Sequence, residues 1–265
     1  MIECTIWGRC TVAPRLRRLL FETLYKNAYL YRFASTVPFA GQWRVWQRLL
    51  LSRIHGNDVL ELGCGLGDLL ADMSAAGYLC HAVENSPQMV KAARETLRRR
   101  KLDTNAIVIQ GSAQHLPFSN DSFDTVVSTF PSEYIYDPDT VAEVARVLRA
   151  GGRFIVIEGA NLLPIGFLQP FLVLIQTLVY GRASVYGPRK HRNLDEEAAR
   201  NRSDQKPKRN ATRNANEVRT VTKTEVISDA WFGQYIPLEY HGLKRRSERV
   251  RSRRWEVYIT IGEKQ

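Results

Sequence analysis

Residues 59–68 read VLELGCGLGD, and the fold turns on how this stretch is read. Val59, Leu60 and Leu62 form a short apolar run suited to a buried parallel strand. Gly63, Gly65 and Gly67 then alternate with Cys64 and Leu66, after which Leu69, Leu70 and Met73 resume at helical spacing. The pattern is strand, glycine turn, helix. Glycines suit such a turn because they accept positive φ and carry no Cβ, so the backbone can press against a ligand at the carboxyl end of the strand. A dinucleotide fingerprint, GxGxxG, needs a glycine three residues after Gly65, where this chain has Asp68. The turn therefore points to a nucleotide-like ligand without a pyrophosphate. A tight turn that holds nothing would not need three alternating glycines.

The flanking sequence repeats the unit. Residues 78–83 form a second strand, and Glu84 stands at its tip, 21 residues beyond Gly63. A carboxylate there is placed to accept hydrogen bonds from both ribose hydroxyls of a nucleoside lying over the turn. Ser86 and Pro87 start a helix as cap and first helical residue, and it runs through Met89, Ala92, Ala93 and Leu97 to a basic end at residues 98–101. Residues 106–109, 123–129 and 153–157 are further strands; between the last two, Asp137 and Pro138 start a helix that Gly151 and Gly152 end. Five strands alternating with helices specify an α/β, doubly wound parallel sheet. Upstream, residues 16–33 and 42–54 have helical spacing, separated by Pro38 and Gly41, and the second stretch carries Trp43, Trp46, Leu49 and Leu50 on one face.

Four segments, VLELGCGLGDLL, AVENSPQMV, GSAQHLPFSNDSFDTVV and RVLRAGGRFIVIE, occur in this order between residues 59 and 158. Together they resemble the class I S-adenosylmethionine-dependent methyltransferases, in particular a small-molecule group similar to quinone-biosynthesis methyltransferases. The resemblance covers residues 55–160. It implies a Rossmann-like, seven-stranded, mostly parallel sheet closed by a C-terminal antiparallel hairpin, for which residues 231–240 and 255–261 are the expected strands. It also implies S-adenosyl-L-methionine as cofactor, with no metal. By the same resemblance Glu61, Gly63 and Gly65 line the methionine part and Glu84 holds the ribose. Asn85 and Met89 lie beside the adenine, Ser112 and Ala113 meet its edge, and Ser128 lies near the methionine amino or carboxylate group. The family usually has an aspartate where this chain has Ser112, which weakens the contact to the adenine amino group or leaves it to backbone groups and Gln114.

Methyl transfer from a sulfonium needs alignment and exclusion of water more than acid–base groups, and alignment alone can supply about 7–11 kcal/mol. Phe130, Pro131, Ser132, Glu133 and Tyr134 follow the fourth strand and would project near the methyl group. Glu133 is a candidate proton acceptor and Tyr134 a candidate orienting or stacking group, with His115 a rival base. Each suits a packing, helix-start or solvated role as well. Tyr29 and Tyr31 are candidates for a substrate wall, or for core packing.

At 265 residues, 44% hydrophobic and 25% charged, the chain can hold one domain plus an appendage. The expected division is a helical cap (1–54), the cofactor-binding core (55–160), an apolar helix with a basic insertion (161–219), and C-terminal strands (220–265). Cys4, Cys10, Cys64 and Cys80 show neither a CxxC pair nor a His-spaced metal pattern, and no secretory signal opens the chain, which fits a reduced cytoplasm. The formal charge is +11, and residues 182–213, with ten Lys/Arg against four Asp/Glu, and 244–254, with seven against one, carry more than all of it. Residues 244–254 lack interleaved aromatics and read as a solvated hairpin turn, which argues against nucleic acid. Residues 162–180 are apolar but broken by Gly166, Gln169, Pro170 and Gln176, short of the roughly 20 apolar residues a bilayer span needs. Followed by the polar stretch 189–216, they fit a peripheral membrane contact, a lid over a greasy substrate, or a helix packed on the sheet beside a solvated loop. The expected activity is methyl transfer to an O, N or C nucleophile of a small, hydrophobic acceptor. The rival readings are a non-catalytic cofactor-binding scaffold or sensor and an RNA methyltransferase; the oligomeric state is left open.

Overall fold

The computed structural model describes Arg32, Phe39 and residues 41–162, 223–227, 233–252 and 254–265. The proposed helix at 16–33, Tyr29, Tyr31, Cys4, Cys10, and nearly all of the apolar and basic stretches between 162 and 213 lie outside the described residues.

The apolar runs become strands, the central ones buried on both faces as parallel strands under helices must be, while the edge strand keeps Ile107 exposed. These are β1 (Asp58–Leu62), β2 (Leu79–Glu84), β3 (Ala106–Gln110), β4 (Phe123–Thr129) and β5 (Leu148–Leu162). The helices are α1 (Gln42–Arg48), α2 (Asp68–Ala75), α3 (Pro87–Arg99) and α4 (Pro138–Val147). Ser86 caps α3, its hydroxyl accepting from Met89 N–H, and Asp137 caps α4 by accepting from Asp139 N–H. The sheet ends with β6 (Lys223–Ile227), β7 (Leu243–Arg251) and β8 (Trp255–Lys264), and the strand order is β3-β2-β1-β4-β5-β8-β7-β6.

The first five strands are parallel, and β8, β7 and β6 are antiparallel. Since β1 pairs with β2 on one side and β4 on the other, the winding reverses there, and the carboxyl ends at Leu62, Val83 and Ser128 open a crevice. One apolar layer packs α1, α2 and α3 on the sheet with Trp46 and Trp255; the other packs α4 with Ile236, Leu238 and Leu243. No described helix is long and apolar enough to cross a membrane.

The fold class matches the expectation, and four local features differ. The described sheet has eight strands where seven were expected, with β6 as an added edge. Residues 233–240 are turns leading into a 3-10 helix (Glu239–His241) and not a strand. Gly233 sits at φ 73°, Ile236 and Leu238 are buried, and Tyr240 is 92% exposed, so the aromatic residues have no common face. The strand beside β8 is instead β7, within the stretch read as a hairpin turn. Four of its charges are paired: Arg246 and Glu248, which Arg53 also meets, Arg249 with Glu225 and Arg245 with Glu239. Gly151 and Gly152 do not end α4, which stops at Val147; residues 148–152 are already extended and form a bulge opposite Asp124. α1 ends at Arg48 and not at residue 54, tightening into turns in which Leu49 N–H reaches Trp46 C=O and Leu51 N–H reaches Arg48 C=O, each at 3.1 Å. That tightening buries Leu50 and carries Arg53 to Glu248.

Candidate functional site

The three glycines of the turn take φ of 70°, 52° and 73°, the left-handed region that favours residues without a Cβ. A Cβ on Gly67 would stand 2.9 Å from Ala93, so the early third glycine lets α2 begin hard against α3. A Cβ on Gly63 would stand 2.8 Å from the Tyr134 hydroxyl. Gly63 N–H donates to Val83 C=O at 2.8 Å, which fastens the turn to the tip of β2.

Glu84 lies at that tip and is 9% exposed. Its two carboxylate oxygens accept from Gly65 N–H (3.0 Å) and Ser86 N–H (2.9 Å). Each oxygen keeps a further lone pair, so the carboxylate is a fixed acceptor pair at the tip of β2. Glu61, two residues before Gly63, is 1% exposed, and its Oε2 has no hydrogen-bond partner among the described residues. Burial pushes its pKa up to about 8, with Arg44 pulling it down and Glu84 and Asp68 pushing it further up. Cys64 is buried in the turn, and burial, helped by Glu61 and Glu84, pushes its thiol far up.

The remaining predicted residues fall into two groups. Asn85 is exposed beside Glu84, and Ser112 and Ala113 follow β3 at the same edge. Ser112 donates its hydroxyl to Gln114 Oε1, and Gln114 Nε2 donates to Asp137 Oδ2 at 3.0 Å, so this loop is tied to the cap of α4. Met89 is fully buried in the first turn of α3. Ser128 is also fully buried: its hydroxyl donates to Leu62 C=O (3.1 Å) and bonds the Tyr134 hydroxyl (2.9 Å). The Tyr134 hydroxyl lies 3.1 Å from the same carbonyl and shares its one proton between it and Ser128 Oγ. Ser128 and Tyr134 thus brace the end of β1 under Gly63. Ser132, Glu133 and His115 are exposed. Phe130 has φ 50° and stacks on Trp43 with centroids 4.0 Å apart, joining α1 to the end of β4.

The sequence reading passed over the polar face of α1. With Trp43, Arg44 and Gln47, α1 covers the glycine turn and encloses a cavity of about 250 Å³, which Gly63, Cys64, Leu66, Asp68 and Thr129 also line. Gln47 donates to Thr129 Oγ1 at 3.1 Å and accepts from Arg44 Nη1 at 2.9 Å. Arg44 also donates to Asp68 C=O (3.0 Å) and to the Asp72 carboxylate. Burial lowers its pKa, against the pull of Asp72 and Asp68. The signal was present in the spacing, since Arg44, Gln47 and Arg48 share a face at i, i+3 and i+4.

Residues 60–156 match the family model of the methyltransferase domain. Over this segment the chain is similar to that domain. The segment contains the glycine turn, Glu84, the loop after β3 and most of β5. The chain is 32% identical over 165 residues to a ubiquinone/menaquinone biosynthesis C-methyltransferase of Haemophilus ducreyi, covering 59% of this chain and 63% of the relative. It is 30% identical over 152 residues to a demethylmenaquinone methyltransferase of Symbiobacterium thermophilum, covering 54% and 59%. The chain thus spans about three-fifths of the length of these curated relatives. The geranyl diphosphate C-methyltransferase of Streptomyces coelicolor superposes with a TM-score of 0.47 at 13% identity, covering 88% of this chain and 84% of that one.

The cofactor of such a domain is S-adenosylmethionine, and the residues present fit it. Glu84 presents free acceptor lone pairs, and Glu61 has a buried oxygen without a partner among the described residues.

Proposed function

We propose that the chain is an S-adenosylmethionine-dependent methyltransferase acting on an O, N or C nucleophile of a small, hydrophobic acceptor, quinone-like or lipid-like. The observation that carries this reading is Glu84, a buried carboxylate fixed by Gly65 and Ser86 N–H groups against a three-glycine turn inside the methyltransferase domain. S-adenosylmethionine, when bound, supplies a methyl group on a sulfonium, open to in-line displacement. The chain's own part is placement. Glu84 accepts the ribose hydroxyls, Gly63 and Gly65 admit the methionine part, and the Trp43–Phe130 stack keeps water from the end of β4. Positioning of this kind reaches about 7–11 kcal/mol. The Tyr134 hydroxyl is held on Leu62 C=O, which supports an orienting role over proton transfer. Glu133, exposed just after β4, remains the candidate proton acceptor.

The quinone-methylating relatives and the apolar Trp43–Phe130 wall support an apolar acceptor. The paired arginines of β7 favour this reading over an RNA substrate, because Arg245, Arg246 and Arg249 already answer glutamates.

The test is transfer of labelled methyl from S-adenosylmethionine into metabolite and membrane extracts. The expected result is label in the organic-soluble fraction with S-adenosylhomocysteine released. Label in RNA, or binding without transfer to any extract, would overturn it. Replacing Glu84 with Ala removes two charge-assisted hydrogen bonds to the ribose and should weaken S-adenosylhomocysteine by about a hundredfold in calorimetry. An unchanged affinity removes the ribose assignment.

A further inference from the structure

Glu158 follows Ile157 of β5, the residue that pairs with Thr129 at the end of β4 and whose C=O accepts from Phe130 N–H at 2.7 Å. There β5 departs from regular pairing. Ile157 stands opposite Ile259 and Gly159 opposite Tyr258, so Glu158 is the extra residue of a bulge. A bulge breaks the ladder and re-aims its side chain, and such irregularities gather beside active sites. The re-aimed carboxylate is held in place: Oε2 accepts from Gly233 N–H at 2.7 Å and Oε1 from the Thr260 hydroxyl. Each oxygen keeps a second lone pair. Gly233 reaches it for want of a side chain, since a Cβ there would stand 2.9 Å from Oε1. Burial pushes the Glu158 pKa up, against Thr260, Gly233 and Arg245, which pull it down. Two exposed tyrosines stand nearby. Tyr136 ends the 3-10 turn Glu133–Tyr136, and burial, then the charge of Glu158, pushes its hydroxyl up to about 12. Tyr235 lies two residues beyond Gly233. Merely latching the turn to the sheet needs no charge, because an amide oxygen satisfies a backbone N–H and a hydroxyl at a lower desolvation cost. A half-buried carboxylate beside exposed aromatic rings suits a ligand that carries a hydrogen-bond donor on an apolar body.

We propose that Glu158 binds the methyl acceptor, receiving an O–H or N–H hydrogen of that molecule while Tyr136 and Tyr235 flank its apolar body. This rests on the methyltransferase reading and narrows the acceptor to a molecule with a hydroxyl or amino hydrogen, as a phenol or hydroquinone has and a quinone or a plain hydrocarbon lacks. Glu158 binds and orients; Glu133, exposed on the neighbouring turn, stays the candidate for taking a proton. Arg245 is a positioning residue, fastening the turn that holds Glu158 by donating to Gly233 C=O and Ile236 C=O.

The experiment is calorimetry on the full chain saturated with S-adenosylhomocysteine, using 1-naphthol and 1-methoxynaphthalene as probes with and without a donor hydrogen. The unaltered chain should bind 1-naphthol about tenfold or more tightly than the ether, the size of one charge-assisted hydrogen bond. Glu158→Gln should remove that preference, weakening 1-naphthol by about tenfold and changing the ether by less than about twofold. Glu239→Gln loosens the same turn through Arg245 and should move both probes equally. An unchanged affinity for S-adenosylhomocysteine shows that the Glu158 variant is folded. If the unaltered chain binds neither probe, or both equally, or if Glu158→Gln weakens both alike or neither, the assignment is overturned while the cofactor reading stands. If the unaltered chain does not bind S-adenosylhomocysteine, the cofactor reading itself falls, and this assignment with it.

Discussion

In β1 to β5 the inward residues are mostly aliphatic, and acids sit near the carboxyl ends, as Glu61 and Glu84 do; in β6 and β7 charged side chains run along the strands, and several of them form ion pairs. The difference follows from what covers each part. Parallel strands under helices on both faces have no water to solvate a charge, so a polar group persists there only where a ligand or a backbone donor meets it. The antiparallel edge keeps access to water, and its charges serve packing and pairing. An acid in the first region therefore costs stability, and an ion pair in the second supplies it.

Glu61 gives the largest expected effect. Its folded pKa of about 8 lies above the 4.5 of an unperturbed glutamate, so the folded state binds more protons than the unfolded chain between those values. The contribution of Glu61 to stability should be fullest below pH 4.5 and fall as pH rises toward 8, by on the order of 5 kcal/mol at about 1.4 kcal/mol per unit. Glu61→Gln should flatten that decline in urea titrations across the range; an unchanged slope would mean the buried acid costs nothing. The opposite sign is expected at the junction with β7. Arg53 and Glu248 are paired at 2.8 Å with side chains 11% and 7% exposed, so Arg53→Ala strands a buried acid. It should lose about 3 kcal/mol in denaturant unfolding, with Arg246 as the remaining partner. Gly67→Ala forces a Cβ into Ala93 at positive φ and should lose about 2–3 kcal/mol, read as a lowered Tm. The smallest effect belongs to Arg249→Ala on the edge pair with Glu225, below about 1 kcal/mol by the same unfolding assay. A loss there as large as at Arg53 would erase the distinction between the junction and the edge.

The legible parts of the sequence were those whose chemistry is local. The glycine turn, the Ser86–Pro87 and Asp137–Pro138 helix starts, and the acid at the end of β2 all sit where spacing put them. β7 was not legible, because its period-two pattern is broken by a buried pair, Ser247 and Glu248, and every exposed position is charged. Residues 233–240 misled in the opposite way, since aromatic content suggested a strand where Gly233 and Pro237 bend the chain. Arg44 escaped because its importance depends on α1 lying over the glycine turn, a contact between segments about 20 residues apart that no local pattern encodes.

Cys64 gives the glycine turn a built-in clock. This residue lines the cavity but is only 7% exposed, and its proton is held far above the ordinary thiol range, so alkylating reagents meet almost no thiolate while the turn is closed. The rate of its labelling then counts openings of the turn, and any molecule that holds the turn shut slows the count.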